Sequence, residues 1–296
     1  MSPSTHEAQV ADIQDPTDGA KVLAASINPV DKAISTGGFP FRSYQPGDVL
    51  GFDGVAERSD GTRVYFQAPA APFGSFAQFV DLSGAETVRV PDGMDPAVAA
   101  VIGVPGIAAW SAAIGVGGLK EGQTLLVTGA TGSVGTLAAQ IGLAVGARVV
   151  GTVRDADGVT ALREIGVEGV AIDHIDAFEA QLHQAVPDGI DVVVDTVWGE
   201  QVAPIIRAMN RRSRFVQVGN AVGSATIVAP EFRNTLITMV GHSNFLLSPD
   251  QRSEAYTHVA QLVADGKVTI PYRQASLSDF ADVWASKTPG KTVLIP

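Results

Sequence analysis

A turn of small residues follows an apolar run near the middle of the chain, in LLVTGATGSVG (125–135). Its second half has the spacing of a G-x-G-x-x-G turn, with Ala130, Gly132 and Gly135 at the three glycine positions. The second glycine of such a turn lets the backbone approach a pyrophosphate, and the third lets the next helix pack against the preceding strand. The spacing therefore predicts a site for a diphosphate group.

The segment after this turn has the pattern of a helix that begins near Ser133 and ends at Gly146. Free N–H groups and the positive end of that helix would face the phosphates. The residues predicted to line the diphosphate are Ala130, Thr131, Gly132, Ser133 and Val134. A glycine turn alone also occurs in other α/β proteins, so the prediction depends on the elements around it.

Those elements alternate between strand-like and helical segments from about residue 122 onward. The predicted strands are residues 123–129, 148–152, 169–173, 191–197, 214–219 and 235–241. Several are apolar on both faces, which is typical of parallel strands covered by helices. The array predicts an α/β fold with a doubly wound parallel sheet, a Rossmann dinucleotide-binding domain.

The first 95 residues have a different pattern, with short β segments broken by glycine and proline. The strand-like segments are residues 21–27, 62–66 and 75–82. The domain linker is predicted near 90–100, where Asp95 can cap a helix that has Pro96 at its first position.

Two interpretations of GTVRDADG (151–158) bear on which dinucleotide binds. Arg154 stands where the 2′-phosphate of NADP would lie, and a guanidinium suits that dianion. Alternatively, Asp155 accepts a hydrogen bond from a free ribose 2′-hydroxyl and Arg154 points into solvent. We favour NADPH. His174, after the third strand, either reaches the adenosine phosphate or is a polar loop residue.

Composition excludes several classes of function. The formal charge is −11 and no Lys/Arg cluster is evident, which argues against nucleic-acid binding. No apolar run is long enough to span a bilayer, and the first 16 residues do not resemble a secretory signal. The absence of cysteine excludes disulfides and fits a cytoplasmic protein.

A series of motifs along the chain carries a family resemblance. They are SINPVDKAISTGG (26–38), PGDVLGFDGVAE (46–57), GSFAQFVDL (74–82), GVPGIAAWSAA (103–113), TGATGSVG (128–135), FVQVGNAVG (215–223) and GKTVLIP (290–296). Over roughly residues 15–296, this order resembles the zinc-independent quinone oxidoreductase branch of the medium-chain dehydrogenase/reductase superfamily.

The resemblance implies two domains with the active site in a cleft between them. Residues 1–95 and 246–296 would form a GroES-like, β-rich catalytic domain, truncated at its N-terminus. Residues 96–245 would form the Rossmann domain, through which the family usually makes homodimers.

The resemblance also implies site residues. Asn28 would lie beside the nicotinamide and a small-molecule substrate, and Asp31 would brace the loop that carries it. Other positions implied to contact the cofactor are Val197, Gly219, Asn220, Asn244 and Phe245. For Val197 and Phe245, a packing role is an equal alternative.

No metal site is expected. Zinc-dependent relatives have a cysteine and a Gly-His-Glu motif where this chain has INPVD and GFDGVAE, and the chain's histidines show no ligand spacing. Without a Lewis acid to polarise a carbonyl, a quinone or an α,β-unsaturated carbonyl is the easier hydride acceptor.

Two departures from the family pattern keep other functions open. Ala33 and Ala108 stand where many relatives have a tyrosine and a threonine. We therefore carry three hypotheses: an NADPH-dependent quinone or enone reductase, a ketone reductase or tailoring enzyme of secondary metabolism, and a non-catalytic NADPH-binding protein.

Overall fold

The structure is a computed structural model that describes residues 19–286 and 290–296. The expectations about a signal segment and about a truncated N-terminus of the β-rich domain concern residues 1–18, which lie outside the described residues. Within the described ranges, no helix is both long enough and apolar enough to cross a membrane.

The regular elements are numbered in chain order. The strands are β1 (Gly19–Ser26), β2 (Asp53–Glu57), β3 (Arg63–Gln67), β4 (Phe79–Asp81), β5 (Glu86–Arg89), β6 (Thr124–Thr128), β7 (Arg148–Val153), β8 (Glu168–Ala171), β9 (Ile190–Asp195), β10 (Met209–Gln217), β11 (Thr238–Gly241), β12 (Tyr272–Ser276) and β13 (Lys291–Ile295). The helices are α1 (Pro29–Ser35), α2 (Pro96–Val101), α3 (Val104–Trp110), α4 (Ser133–Ala144), α5 (Ala156–Glu164), α6 (Ile175–Ala185), α7 (Val202–Ala208), α8 (Ala229–Thr235), α9 (Pro249–Ala264) and α10 (Phe280–Ala285). A π-helical turn covers Ser111–Val116, and 3₁₀ turns cover Asn244–Leu246 and Leu277–Asp279.

The chain divides into two compact units. The first contains the residues up to Val104 together with Ile270–Pro296, and the second is Pro105–Thr269. The units therefore meet in sequence at 104/105 and 269/270, whereas the domain boundaries predicted from the sequence are 95/96 and 245/246. Helix α9 belongs to the second unit because Tyr256 and Val259 are fully buried and α9 packs against α4.

The first unit is built on a mainly antiparallel sheet in the order β12-β13-β1-β2-β3-β5, with β4 also paired to β1. The pair β12 and β13 is parallel, and the other pairs are antiparallel. Strand β13 therefore lies directly beside β1, so the first and last described strands belong to one sheet. Helix α2 packs against β1 and starts as predicted, because the Asp95 side chain accepts from the amides of Ala97 and Val98.

The second unit is built on a parallel sheet in the order β11-β10-β9-β6-β7-β8. Numbered along the array, this is the order 6-5-4-1-2-3 of a Rossmann fold, which confirms the predicted doubly wound sheet. The strand order reverses between β6 and β9. Ligands of such sheets bind outside the carboxyl ends of the strands at this switch point.

Helices cover both faces of the parallel sheet. On one side, Phe178 of α6 and Ile205 of α7 pack with Phe215 of β10 in a fully buried cluster. On the other side, α4 lies so close to β6 that a Cβ on Gly142 would stand 2.7 Å from Leu125 Cδ2. Burial on both faces explains why these strands read as continuous apolar runs.

Two predicted strands are shorter than expected by three residues or more. In 75–82 only Phe79–Asp81 forms a strand, because the amides of Ser75 and Phe76 bond back to the carbonyls of Gly51 and Leu50. In 235–241 the strand begins at Thr238, because α8 runs to Thr235 and Leu236 then takes a left-handed conformation with φ of 55°.

Candidate functional site

The glycine turn lies at the carboxyl end of β6, at the switch point of the parallel sheet. Gly132 is the exposed N-cap of α4, with an extended backbone at φ −74° and ψ 163°. Thr131 is also exposed, Ser133 and Val134 are half-buried, and Ala130 is buried. The first amides of α4 have no carbonyl one turn earlier to bond, so they remain available to an anion.

Gly135 and Gly129 allow close backbone packing around this turn. A Cβ on Gly135 would overlap the carbonyl oxygen of Gly129 and lie 2.8 Å from Ala130 Cα. Gly129 has a φ of 60°, and a Cβ there would lie 2.6 Å from Thr196 Oγ1. Helix α4 can therefore start directly against the end of β6 only with glycine at position 135.

The segment after β7 contains Arg154 and Asp155, the two candidates for contact with the adenosine ribose. Asp155 is the N-cap of α5, and its Oδ1 accepts from the Gly158 amide at 3.0 Å. Arg154 is exposed, and no hydrogen bond or ion pair of the described residues involves its guanidinium. His174 is exposed at the N-cap of α6, beyond the neighbouring strand β8, and makes no side-chain cap bond. Because β7 and β8 are parallel neighbours, Arg154 and His174 follow strands that end at the same sheet edge.

A hydrogen-bond network that the sequence analysis did not predict joins β6 to β9 at the switch point. Asp195 is fully buried, and its Oδ1 accepts from the Thr128 hydroxyl at 2.5 Å. Thr128 Oγ1 in turn accepts from the Thr196 amide at 2.9 Å. Asp195 Oδ2 accepts from the Trp198 amide at 3.1 Å, and its Oδ1 also accepts weakly from the Val197 amide. Burial raises the pKa of Asp195.

The turns after β9 and β10 are joined by backbone hydrogen bonds. The Gly219 amide donates to the Asp195 carbonyl at 3.1 Å, and the Val222 amide donates to the Val197 carbonyl at 2.9 Å. A Cβ on Gly219 would overlap the Thr196 carbonyl oxygen. Val197 and Gly219 are half-buried, and Asn220 is exposed. The structure thus brings these three predicted residues together beside the switch point.

Asn244 and Phe245 lie in the 3₁₀ turn after β11, in the same unit. Asn244 is 5% exposed, and among the described residues its Nδ2 has no hydrogen-bond partner. A buried amide without a partner is rare in proteins and fits a group that a ligand completes. Phe245 is half-buried, and its carbonyl accepts from Arg252 at 3.3 Å.

A serine–histidine pair also lies in the second unit. Ser111 Oγ is 2.8 Å from His242 Nε2 and 2.5 Å from the Ile107 carbonyl. The short bond to the carbonyl uses the serine proton, so the histidine nitrogen acts as donor. Burial lowers the pKa of His242, which keeps the ring neutral at pH 7. This geometry does not activate Ser111 as a nucleophile.

In the first unit, Asn28 is the centre of a buried polar cluster. It is 2% exposed, and its Nδ2 donates to Asp53 Oδ1 at 2.8 Å and to Ser26 Oγ at 3.0 Å. Its Oδ1 accepts from the Lys291 ammonium, which also donates to the Ile27 carbonyl at 3.1 Å. The Asn28 amide is therefore fully engaged, and its role beside a substrate stays a prediction.

Asp31 braces the loop around Asn28, as expected. Its two oxygens accept from the amides of Asn28 and Phe52, both at 2.7 Å. Asp53, which the sequence analysis gave no role, accepts from the Tyr65 hydroxyl at 3.0 Å and the Val104 amide at 3.1 Å. A charged residue at the start of an apolar strand could have indicated a buried charge. Asp53 has this position in FDGVAE, and Lys291 has it in KTVLIP.

Burial shifts the protonation of this cluster. Desolvation, together with the nearby Asp53 carboxylate, raises the pKa of Asp31 to about 7. Desolvation also raises the pKa of Asp53 and lowers that of Lys291 to about 8, although the carboxylates oppose the latter shift. The folded state thus favours fewer charges here than the unfolded chain would carry.

The free energy of unfolding should depend on pH through the protonation of Asp31 and Lys291. Between pH 3.8 and about 7, folded Asp31 holds a proton that the unfolded chain has released, so stability should fall as the pH rises. Between about 8 and 10.5, the unfolded chain holds a proton that folded Lys291 has released, so stability should rise again. Urea unfolding of the wild type and of Asp31→Asn across this range measures the effect. The variant should show a smaller decline below pH 7, because Asp53 keeps its own raised pKa, and parallel curves would contradict the assignment.

Comparisons with known proteins fit this architecture. A sequence profile described as zinc-binding dehydrogenase matches residues 133–264. Zinc does not fit the residues present. The chain has no cysteine, and the described residues include no cluster of three or more histidines and carboxylates that could hold a metal ion.

Three relatives were identified by sequence. A phenolphthiocerol/phthiocerol polyketide synthase of Mycobacterium tuberculosis is 28% identical over 92% of this chain and 13% of that protein. The human quinone oxidoreductase is 27% identical over 68% of this chain and 63% of that protein. An NADPH-dependent curcumin reductase of Escherichia coli is 37% identical over 40% of this chain and 35% of that protein. The chain thus spans less than two thirds of the length of each of these relatives.

Solved structures show the same fold. A quinone oxidoreductase of Pseudomonas syringae pv. Tomato superposes with a TM-score of 0.81 at 20% identity, over 97% of this chain and 94% of that one. The chain is therefore similar to quinone oxidoreductases in sequence and in fold, and its residues 133–264 match the zinc-binding dehydrogenase profile.

Proposed function

We propose that this protein is an NADPH-dependent oxidoreductase that transfers a hydride to a quinone or an α,β-unsaturated carbonyl compound. The observation that carries the proposal is the glycine turn at the switch point of the parallel sheet, where α4 starts directly against β6. NADPH, when bound, supplies the hydride. The relative named as an NADPH-dependent curcumin reductase supports both the cofactor and the substrate class.

The residues of the second unit fit a dinucleotide. The amides of Thr131, Ser133 and Val134 bind the diphosphate beside the exposed backbone of Gly132, whose own amide donates to the Gly129 carbonyl at 2.9 Å. Arg154, which has no partner within the described ranges, binds the 2′-phosphate, and His174 lies at the same sheet edge. Val197 and Gly219 form the support for the nicotinamide ribose, with Asn220 beside them. The unpartnered amide of buried Asn244 donates to the cofactor, next to Phe245.

The proposed substrate class depends on how the charge that arrives with the hydride can be stabilised without a metal ion. The described residues offer no zinc ligand set, so the chain's own residues must bind, orient and exclude water. A conjugated acceptor spreads the arriving charge onto an oxygen that a hydrogen-bond donor or water can stabilise. A small-molecule quinone or enone therefore suits this protein better than an isolated ketone.

A second function is favoured by one comparison. The match to the mycobacterial polyketide synthase extends over 92% of this chain, more than the match to the human quinone oxidoreductase. This favours a tailoring enzyme of secondary metabolism, reducing either a C=C or a C=O bond, as the alternative on the same scaffold. A cofactor-binding protein without turnover is the third possibility.

Binding and turnover together test the proposal. Calorimetry with NADPH and NADH on the purified chain should show binding, with NADPH preferred. Oxidation of NADPH should then accelerate with a panel of quinones and enones, and product analysis distinguishes C=C from C=O reduction. The absence of binding to either nucleotide would contradict the proposal. Binding without turnover on any acceptor would support the non-catalytic alternative instead.

Replacing Arg154 tests the 2′-phosphate assignment. Arg154→Ala should weaken NADPH binding about tenfold, the worth of one charge-assisted hydrogen bond, and leave NADH affinity unchanged. The matched control is Arg163→Ala, which replaces an exposed arginine on α5.

Asp155→Ala should cost about 1 kcal/mol of stability by removing the cap of α5, without changing the ratio of the affinities for NADPH and NADH. If only Asp155→Ala changes nucleotide affinity, the ribose interpretation of Asp155 is correct.

The remaining proposals concern assembly and location. We propose a homodimer formed through the second unit, as the family resemblance implies, and a cytoplasmic protein. Exposed apolar residues in the segment between β10 and β11 support the dimer, since such groups commonly mark interfaces. They are Val222, Val228, Phe232 and Leu236. Light scattering of the wild type and of Phe232→Asp measures the assembly.

A further inference from the structure

Asp195 makes hydrogen bonds to each of the chain segments around the switch point. Its carboxylate contacts Thr128 at the end of β6 and the amides of Val197 and Trp198 in the turn after β9. Its backbone carbonyl accepts from the amides of Val218 and Gly219, at 2.8 and 3.1 Å, in the turn after β10. One buried residue thus connects three segments that belong to different strands.

The turn after β9 depends on these bonds. Trp198 has a φ of 51°, a left-handed conformation that a bulky residue rarely adopts without support. Its amide donates to both carboxylate oxygens of Asp195, at 3.3 and 3.1 Å. Thr128 and Thr196 add a reciprocal pair, in which the Thr196 amide donates to Thr128 Oγ1 and the Thr196 hydroxyl donates to the Thr128 carbonyl. The carboxylate therefore holds Val197 in one position relative to the end of β6.

We propose that Asp195 is a positioning residue for the nicotinamide half of the cofactor. The proposal rests on the proposed function, and it assigns to Asp195 the task of aligning the Val197 and Gly219 turns with the glycine turn. Asp195 itself is fully buried and donates nothing to a ligand. Its effect on binding passes through the backbone of the turns that it holds.

A second carboxylate on the same strand provides a matched control. Asp191 lies near the start of β9, and its oxygens accept from the Thr124 amide at 2.8 Å and from Asn210 Nδ2 at 3.0 Å. Asp191 and Asp195 therefore both connect β9 to β6, but at opposite ends of the two strands. We expect replacement of either residue to lower stability, and replacement of Asp195 alone to weaken cofactor binding.

The experiment compares Asp195→Ala, Asp195→Asn and Asp191→Ala by thermal unfolding and by calorimetry with NADPH and with adenosine 2′,5′-bisphosphate. Asp195→Ala should weaken NADPH binding about tenfold or more, from the loss of hydrogen bonds to a charged acceptor. Binding of the bisphosphate, which lacks the nicotinamide half, should change little. Asp195→Asn retains an acceptor oxygen and should recover most of the affinity, and Asp191→Ala should lower only the unfolding temperature.

If Asp195→Ala does not fold, Thr128→Val gives the same test, because it removes the hydroxyl that donates to Asp195. Thr128→Ser keeps that hydroxyl and should recover NADPH binding. NADPH affinity equal to that of Asp191→Ala, in either Asp195→Ala or Thr128→Val, would overturn the positioning role. An equal loss of bisphosphate and NADPH binding would also overturn it, because the effect would then not be confined to the nicotinamide half. If the wild type binds no NADPH, the proposed function fails first and this role fails with it.

Discussion

Gly135→Ala should lower the free energy of unfolding by about 3 kcal/mol or more, the upper range for forcing an extra methyl group into a packed core. A Cβ at this position would overlap the Gly129 carbonyl oxygen and lie 2.8 Å from Ala130 Cα. Both are backbone atoms, so no change of side-chain rotamer can relieve the overlap. Either α4 moves away from β6, or the end of β6 moves and disturbs the switch point. Urea unfolding followed by circular dichroism measures the change.

Gly132→Ala is the control for this variant. Its Cβ would meet only the Gly129 carbonyl oxygen, at 3.2 Å, and the φ of −74° suits any residue. We expect near wild-type stability but weaker NADPH binding, because the methyl group would stand on the exposed backbone that the diphosphate approaches. Equal destabilisation by both variants would contradict the packing role of Gly135.

Lys291→Met should lower the free energy of unfolding by about 3–5 kcal/mol, the usual cost of removing one partner from a buried ionic group. The ammonium is the cation that stabilises Asp31 and Asp53, both fully buried. It also donates to Asn28 Oδ1, which would be left without that partner. Guanidinium unfolding at pH 7 measures the loss.

Two further variants separate charge from packing in this result. Lys267→Met removes an exposed lysine and should change stability by about 0.5 kcal/mol or less. The double variant Lys291→Met with Asp53→Asn should recover part of the loss, because it removes a buried negative charge as well. If Lys291→Met behaves like Lys267→Met, the buried cluster contributes no net stability.

Local sequence patterns predicted the second unit well. The alternating apolar runs, the glycine turn and the start of α4 near Ser133 all agree with the structure. The helix cap at Asp95, with Pro96 at the first helical position, was also predicted correctly. These features depend on residues within about one turn or one strand of each other, so the sequence carries them directly.

The less successful predictions concern segments whose backbone bonds to distant or irregular partners. Residues 75–78 are not in a strand, since Ser75 and Phe76 bond to the backbone of Gly51 and Leu50. Asp155 accepts from the Gly158 amide, and the choice between Arg154 and Asp155 at the ribose stays a prediction.

The amino-acid pattern alone is enough to predict the doubly wound sheet and the position of the glycine turn, and it excludes cysteine as a metal ligand. Which charges are buried, and what they contact, depends on the folded structure. Asn28 and Lys291 are 263 residues apart, and Thr128 and Asp195 are 67 apart. A periodic pattern of apolar residues indicates which face of a helix or strand is buried. A hydrogen bond between strands that are distant in sequence forms only when the sheets form, so no local pattern predicts it. The positioning network and the buried ionic cluster are therefore properties of the folded protein.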